Sequence, residues 1–199
     1  MFLLIQKVTK LLFLNLLWLL ACLPILTIYP ATAALFGVTK QRMTGEHAGL
    51  SKEFLHLFKE NFVQSFWIGI IWTMIGFILL FDLQLANQMT SPLRIPLFLI
   101  TFFMIVLYLF TSIFMFPVMI HYQSNWIQVI KNSLLLSISQ LFTTMSGLLV
   151  IGGSILCFVL EPATILISGS VTAHCLFTLC YRSFQKIERL KQEVSIGSS

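Results

Sequence analysis

Charge is what this chain has least of. Only 10% of its 199 residues are Asp, Glu, Lys or Arg, against 58% that are hydrophobic, and the mean hydropathy is +0.94. A water-soluble globule of this size needs far more polar surface, so lipid has to serve as the solvent. Acids are scarcest, at 7 Asp and Glu, and they sit at the edges of apolar runs rather than in clusters suited to acid–base work. No G-x-S-x-G, H-E-x-x-H, phosphate-binding or Gly-rich dinucleotide pattern is present, which argues against an enzyme and implies no cofactor. The cysteines, Cys22, Cys157, Cys175 and Cys180, lie inside apolar runs without C-x-x-C spacing. Neither a zinc site nor a disulfide framework is indicated, and packing is the role expected of them. The net charge of +5 does not indicate a nucleic-acid partner, because the basic residues flank apolar runs instead of forming a patch with interleaved aromatics.

What is present is a set of five uncharged apolar runs, at 11–39, 61–81, 95–120, 132–160 and 162–181. Each approaches or exceeds the ~20 residues that a helix needs to cross a ~30 Å hydrocarbon core. Solid runs without period-2 alternation exclude an outer-membrane barrel. The expected fold is an all-α polytopic bundle, one integral membrane domain over 1–199, with spans near 8–28, 61–82, 95–120, 134–160 and 163–182.

The first run is too long for one straight span and too short for two. Pro30 lacks an amide hydrogen and suits a first helical turn, which predicts a hairpin: a span ending near Ile28, then a short helix over 30–43 closed by Gly45. A single kinked span with the N-terminus outside is the rival arrangement. Leu19-Leu20-Ala21-Cys22 and Ala31-Thr32-Ala33 resemble cleavage boxes, but more apolar chain follows each, so cleavage is not expected. Leu50, Phe54, Leu57 and Phe58 recur at helical spacing, with Lys52, Glu53, Lys59 and Glu60 on the other side, which predicts an interfacial helix over 50–60. Asp82, Gln84, Asn87 and Gln88 read as an external polar loop. Trp126, Val129 and Ile130 form a second short apolar face before the fourth span, so the second half echoes the first. With the hairpin in place, 11 of the 12 Lys and Arg residues fall on one side, Arg94 being the exception. The positive-inside rule then puts both termini in the cytoplasm.

Two sets of polar residues stand out in the spans. Ser133, Ser137, Gln140, Thr144 and Gly147 recur at steps of three and four along one helical face, and Tyr108, Ser112, Met115 and Met119 do so in the third span. His174 is the ionisable residue deep in a span, beside Ser170, Thr172 and Ala173. Tyr108, Ser112, Ser137, Gln140, Thr144 and His174 are thus candidates for a polar path. Close packing with modest interhelical hydrogen bonds explains the same residues more simply.

Asn15, Trp18, Pro24, Thr27 and the segment Pro30-Ala31-Thr32-Ala33-Ala34-Leu35-Phe36 resemble the YesL-like family of bacterial integral membrane proteins, a domain of unknown function. Gly45, the segment FLHLFKENFVQS over 54–65, Phe116-Pro117 and KNSLLLS over 131–137 extend the likeness over nearly the whole chain. Tyr29 stands where many members have Gly, and the last span, with His174 and Cys175, departs from the pattern. The resemblance carries no catalytic residues with it. Because members are often encoded beside sugar ABC transporters and polysaccharide-degrading enzymes, it implies an accessory part in carbohydrate uptake. A sugar permease subunit would then meet the Pro30–Phe36 hairpin and the cytoplasmic amphipathic segments. A small multi-pass transporter or channel is the alternative, and a homo-oligomer remains open.

Overall fold

In hydrocarbon a backbone finds no hydrogen-bond partner but itself, so each apolar run closes as a helix. The computed structural model describes residues 2–44, 49–90, 92–122 and 125–197, with side chains at 9–43, 49–90, 92–122 and 125–186. Among the described residues are seven α-helices and no strand: α1 (Phe2–Ala21), α2 (Ile28–Thr44), α3 (Leu50–Gln88), α4 (Arg94–Tyr122), α5 (Trp126–Ser139), α6 (Leu141–Leu160) and α7 (Ile165–Gly197). Short 3-10 turns cover Ile25–Thr27 and Pro162–Thr164. The stretches Leu50–Gln88, Arg94–Tyr122, Leu141–Leu160 and Pro162–Lys186 are long and apolar enough to cross a membrane, and Thr9–Ala21 is a shorter apolar helix. The chain is an all-α bundle of a multi-pass membrane protein.

Several boundaries differ from the sequence expectation. The first helix ends at Ala21 rather than near Ile28, because Cys22, Leu23 and Pro24 turn the chain. The Thr27 hydroxyl lies 2.6 Å from the carbonyl oxygens of both Ala21 and Pro24, a shared donor that ties the turn to the end of α1. The next helix starts at Ile28, with Pro30 inside its first turn. Its expected stop at Gly45 lies outside the described residues. The expected interfacial helix and the second span are one continuous rod, α3, and the expected loop from Asp82 to Gln88 is its last two turns. A helix meets its own backbone needs in water as in lipid, and this one stops only before the turn that holds Pro92.

The fourth span is broken. Gln140, at φ −119° and ψ 56°, separates α5 from α6. The Thr144 hydroxyl approaches the carbonyls of Ser137 at 2.8 Å and Gln140 at 3.0 Å, so a side chain stands in for part of the interrupted ladder. The residues spaced from Ser133 to Gly147 are therefore shared between two helices, and Ser133, Ser137, Thr144 and Gly147 are all buried. The echo between the two halves also ends here, since 50–60 fuses into its span whereas 126–139 is set off from the helix that follows.

The helices assemble around α2. Ala31, Ala33, Ala34 and Val38 have no exposed surface, and Leu35 and Phe36 have almost none. Small residues let the neighbouring backbones approach closely, where dispersion contacts replace the hydrophobic drive that lipid does not supply. α3 runs antiparallel beside α2, Leu57 meeting Gly37 and Gly69 meeting Tyr29. α4 runs parallel to α2, with Phe36 stacked on Phe116 at 5.8 Å and the Lys40 ammonium donating to the Ile120 carbonyl at 2.9 Å. That carbonyl belongs to the last turn of α4 and has no partner within the helix, so a cation there is doubly favourable. The face of 50–60 carrying Phe54 and Leu57 packs into this core, and Glu53, expected on the other side, is buried with it. α5 packs along α4, whereas α6 leans chiefly on α7, through Ser154–Thr172 at 2.5 Å and Thr143–Ser183 at 2.8 Å.

Candidate functional site

Asn15 is buried completely in the middle of an apolar helix, and an amide there is costly unless both ends are matched. It is matched by α7. The Asn15 Nδ2 donates to the Ile165 carbonyl at 2.7 Å, and its Oδ1 accepts from the Ser170 backbone N–H at 3.0 Å. A Cβ on Gly169 would fall 2.5 Å from that Oδ1 and 3.0 Å from the Trp18 ring, so the clamp needs glycine there. One turn later in α1, Trp18 Nε1 donates to Thr32 Oγ1 at 3.3 Å, and Thr32 donates on to the Ile28 carbonyl at 2.7 Å. Asn15, Trp18 and Thr32 thus join α1 to both α7 and α2.

Pro30 to Phe36 is enclosed by these partners. Thr32 alone in that segment keeps partial exposure, and the side chains of Ala31, Ala33, Ala34 and Phe36 lie inside the bundle. Within the single chain its side chains are therefore taken up by packing. It is the packing axis of the fold, and Pro24 and Thr27 shape the turn that leads into it. Tyr29 adds a second lock. Its ring covers Gly69 so closely that a Cβ would sit 2.1 Å from it, and its hydroxyl pairs with the hydroxyl of Thr73.

The residues expected to line a polar path fall in three separate places. Tyr108 and Ser112 belong to the seam between α3 and α4. Trp72 stacks on Tyr108 at 4.7 Å and donates from Nε1 to Ser112 Oγ at 2.8 Å. In return, Tyr108 donates to the Trp72 carbonyl at 3.3 Å and Ser112 to that of Tyr108 at 2.7 Å. Ser137, Gln140 and Thr144 belong to the bend between α5 and α6, where Ser137 donates to the Leu134 carbonyl at 2.8 Å. His174 is exposed on the outside of the bundle, away from both groups.

A concavity walled by five helices lies elsewhere. Because α5 follows α4 and the break at Gln140 then carries α6 towards α7, a gap opens between α6 and the rest. It is a cavity of about 390 Å³, with walls from α1 (Trp18), α2 (Thr32, Phe36), α4 (Ser112, Ile113, Phe116), α6 (Ile151, Ser154, Ile155, Phe158) and α7 (Ser168, Gly169, Thr172, Leu176). Ser112 is thus the polar-path candidate that reaches it. Ser154 and Ser168 were missed by sequence reasoning, because single hydroxyls in an apolar run carry no spacing signal until two helices are seen face to face, and Thr172 was noted only beside His174.

A family model described as "Protein of unknown function, DUF624" matches residues 11–83, the stretch that holds Asn15, Tyr29, the Pro30–Phe36 segment and Gly69. The uncharacterized protein YesL of Bacillus subtilis (strain 168) is 28% identical over 94% of this chain and 90% of its own. The uncharacterized protein YteU of the same organism is 31% identical over 88% of this chain and 81% of its own. No solved structure matches. With a relative above 30% identity along most of both chains, and the family's segment forming the core just described, the chain belongs to the DUF624 family of proteins of unknown function.

Proposed function

We propose that this is a non-enzymatic accessory protein of the bacterial cell membrane, with its C-terminus in the cytoplasm, that binds other membrane proteins. The observation that carries the reading is that the polar groups in the spans hold helices to one another. Asn15, Trp18, Trp72, Tyr108 and Ser112 are all joined to a neighbouring helix or to backbone carbonyls. A transporter needs such groups turned towards a solute. Lipid-facing surface is plentiful instead, with Phe142 and Leu149 of α6 87% and 78% exposed, and another membrane protein can pack there. The partner implied by the family resemblance is a sugar ABC transporter permease subunit. With Pro30–Phe36 enclosed, contact falls to α6 and to the outer sides of α3 and α5.

The test is purification of the tagged full chain from its native membrane in mild detergent, with mass spectrometry of what remains bound. Near-stoichiometric recovery of permease subunits is the expected result. Recovery of the chain alone, together with solute flux after reconstitution in liposomes, would replace this reading with the transporter alternative.

A further inference from the structure

The cavity between α6 and the core goes beyond any partner, because its walls specify the chemistry of an occupant. Apart from that of Ser168, its hydroxyls are already engaged. Thr32 donates to Ile28 and accepts from Trp18, and Ser112 donates to Tyr108 and accepts from Trp72. Ser154 donates to the Val150 carbonyl at 2.9 Å and shares a second hydrogen bond with Thr172. A sugar, or any other polyol, entering here would leave its own hydroxyls unmatched, at a cost that apolar contact does not offset. What the walls offer instead is hydrocarbon: Phe36, Ile113, Phe116, Ile155, Phe158 and Leu176. The cavity also reaches the outer surface of the bundle, since Ile155 and Phe158 are 58% and 42% exposed. At this depth the surrounding solvent is acyl chain.

An open space of about 390 Å³ is not left empty beside a fluid that wets it, because protein interiors pack to crystal density. At roughly 30 Å³ for each small group, as for water in the liquid, there is room for about a dozen groups in a row. We propose that the cavity between α4, α6 and α7 is a lateral binding site for one acyl chain of a membrane lipid, which enters past Ile155 and Phe158 and ends against Ile113 and Leu176. The break at Gln140 creates the site, since a straight continuation of α5 would keep α6 beside α4. Trp18 closes its far wall.

The experiment uses the full chain in phosphatidylglycerol vesicles doped with a phosphatidylglycerol that carries a diazirine midway along one acyl chain. After photolysis, the labelled residues are mapped by peptide mass spectrometry. Leu149, on the outer face of α6, reports ordinary lipid contact. Ile113 and Leu176, at 2% and 5% exposure, are reached only by a chain inside the cavity. The expected result is labelling of Ile113 and Leu176 at least as strong as that of Leu149, with a several-fold loss at Ile113 and Leu176 but not at Leu149 when Ser168→Phe fills the space. Labelling confined to Leu149 and other outward residues would overturn the proposal in the wild-type chain, whether or not the variant folds. So would labelling at Leu176 that Ser168→Phe leaves unchanged. If a second copy of the chain occupied the cavity instead, Leu176 would stay unlabelled.

Discussion

α2 and α6 are both helices of this bundle, and they invert the rule that holds in water. α6 carries no charged residue and lies largely outside, with Phe142, Leu149, Val159 and Leu160 at 69–87% exposure. α2 carries Thr, Gly, Lys, Gln and Arg among its 17 residues and lies at the centre. Where the solvent is hydrocarbon, apolar side chains gain nothing by leaving it, so they mark the outside. The inside is marked by residues that allow close approach or that bond across helices. Hydropathy therefore finds the membrane and small or polar residues find the core.

The largest test of this contrast is bulk placed in α2. Ala34→Leu adds three carbons where no surface is exposed, and overpacking of that kind costs about 1–3 kcal/mol. Thermal unfolding in mild detergent should show a clear fall in midpoint, whereas Leu149→Ala in α6 should stay within about 0.5 kcal/mol of wild type. Equal effects at the two positions would dissolve the distinction. Next comes the Tyr29–Gly69 contact. Gly69→Ala places a methyl inside the Tyr29 ring and should destabilise strongly, and adding Tyr29→Ala should recover part of the loss, a coupling of about 0.5–3 kcal/mol in a double-mutant cycle. Simple additivity would mean that the ring moves aside. Smaller again is Asn15→Leu, which leaves the Ser170 N–H and the Ile165 carbonyl without their side-chain partner. A loss of about 1–2 kcal/mol in the same unfolding assay is expected, and unchanged stability would remove Asn15 from the structural account. The smallest effect belongs to Gly152→Ala in α6. Nothing lies within 4 Å of the added carbon, and the midpoint should stay level or rise slightly, because alanine is the better helix former.

The same inversion explains what could be read before the structure was known. Runs without charge identified the spans, since lipid forbids almost anything else there. Pro30 at a helix start was legible because its geometry is local, but the turn at Pro24 was not, since the apolar run carried the expected span on to Ile28. Gln140 was not, because glutamine is an ordinary helix residue and only Thr144, folding back onto Ser137, shows that the ladder has parted. The partners of Asn15 lie 150 and 155 residues away, beyond any periodicity. Tyr29 looked like a departure from the family pattern, and Gly69 like an unremarkable glycine, until the two were found in contact. His174 was singled out by its charge chemistry alone, and its outward position was set by the rotation of α7, which no spacing in that helix announces.

The composition of α2 also bears on how the protein is made. A segment holding Lys40, Gln41 and Arg42 in its second half and a proline in its first turn is a poor substrate for the insertion machinery, which weighs each helix by the free energy of its side chains in lipid. Such a segment enters most readily together with α1, as a hairpin drawn in by its more apolar neighbour. Its lasting shelter comes only as α3, α4 and finally α7 emerge from the ribosome and close around it. The central helix thus reaches its final surroundings only after the helices that follow it in the sequence have been made.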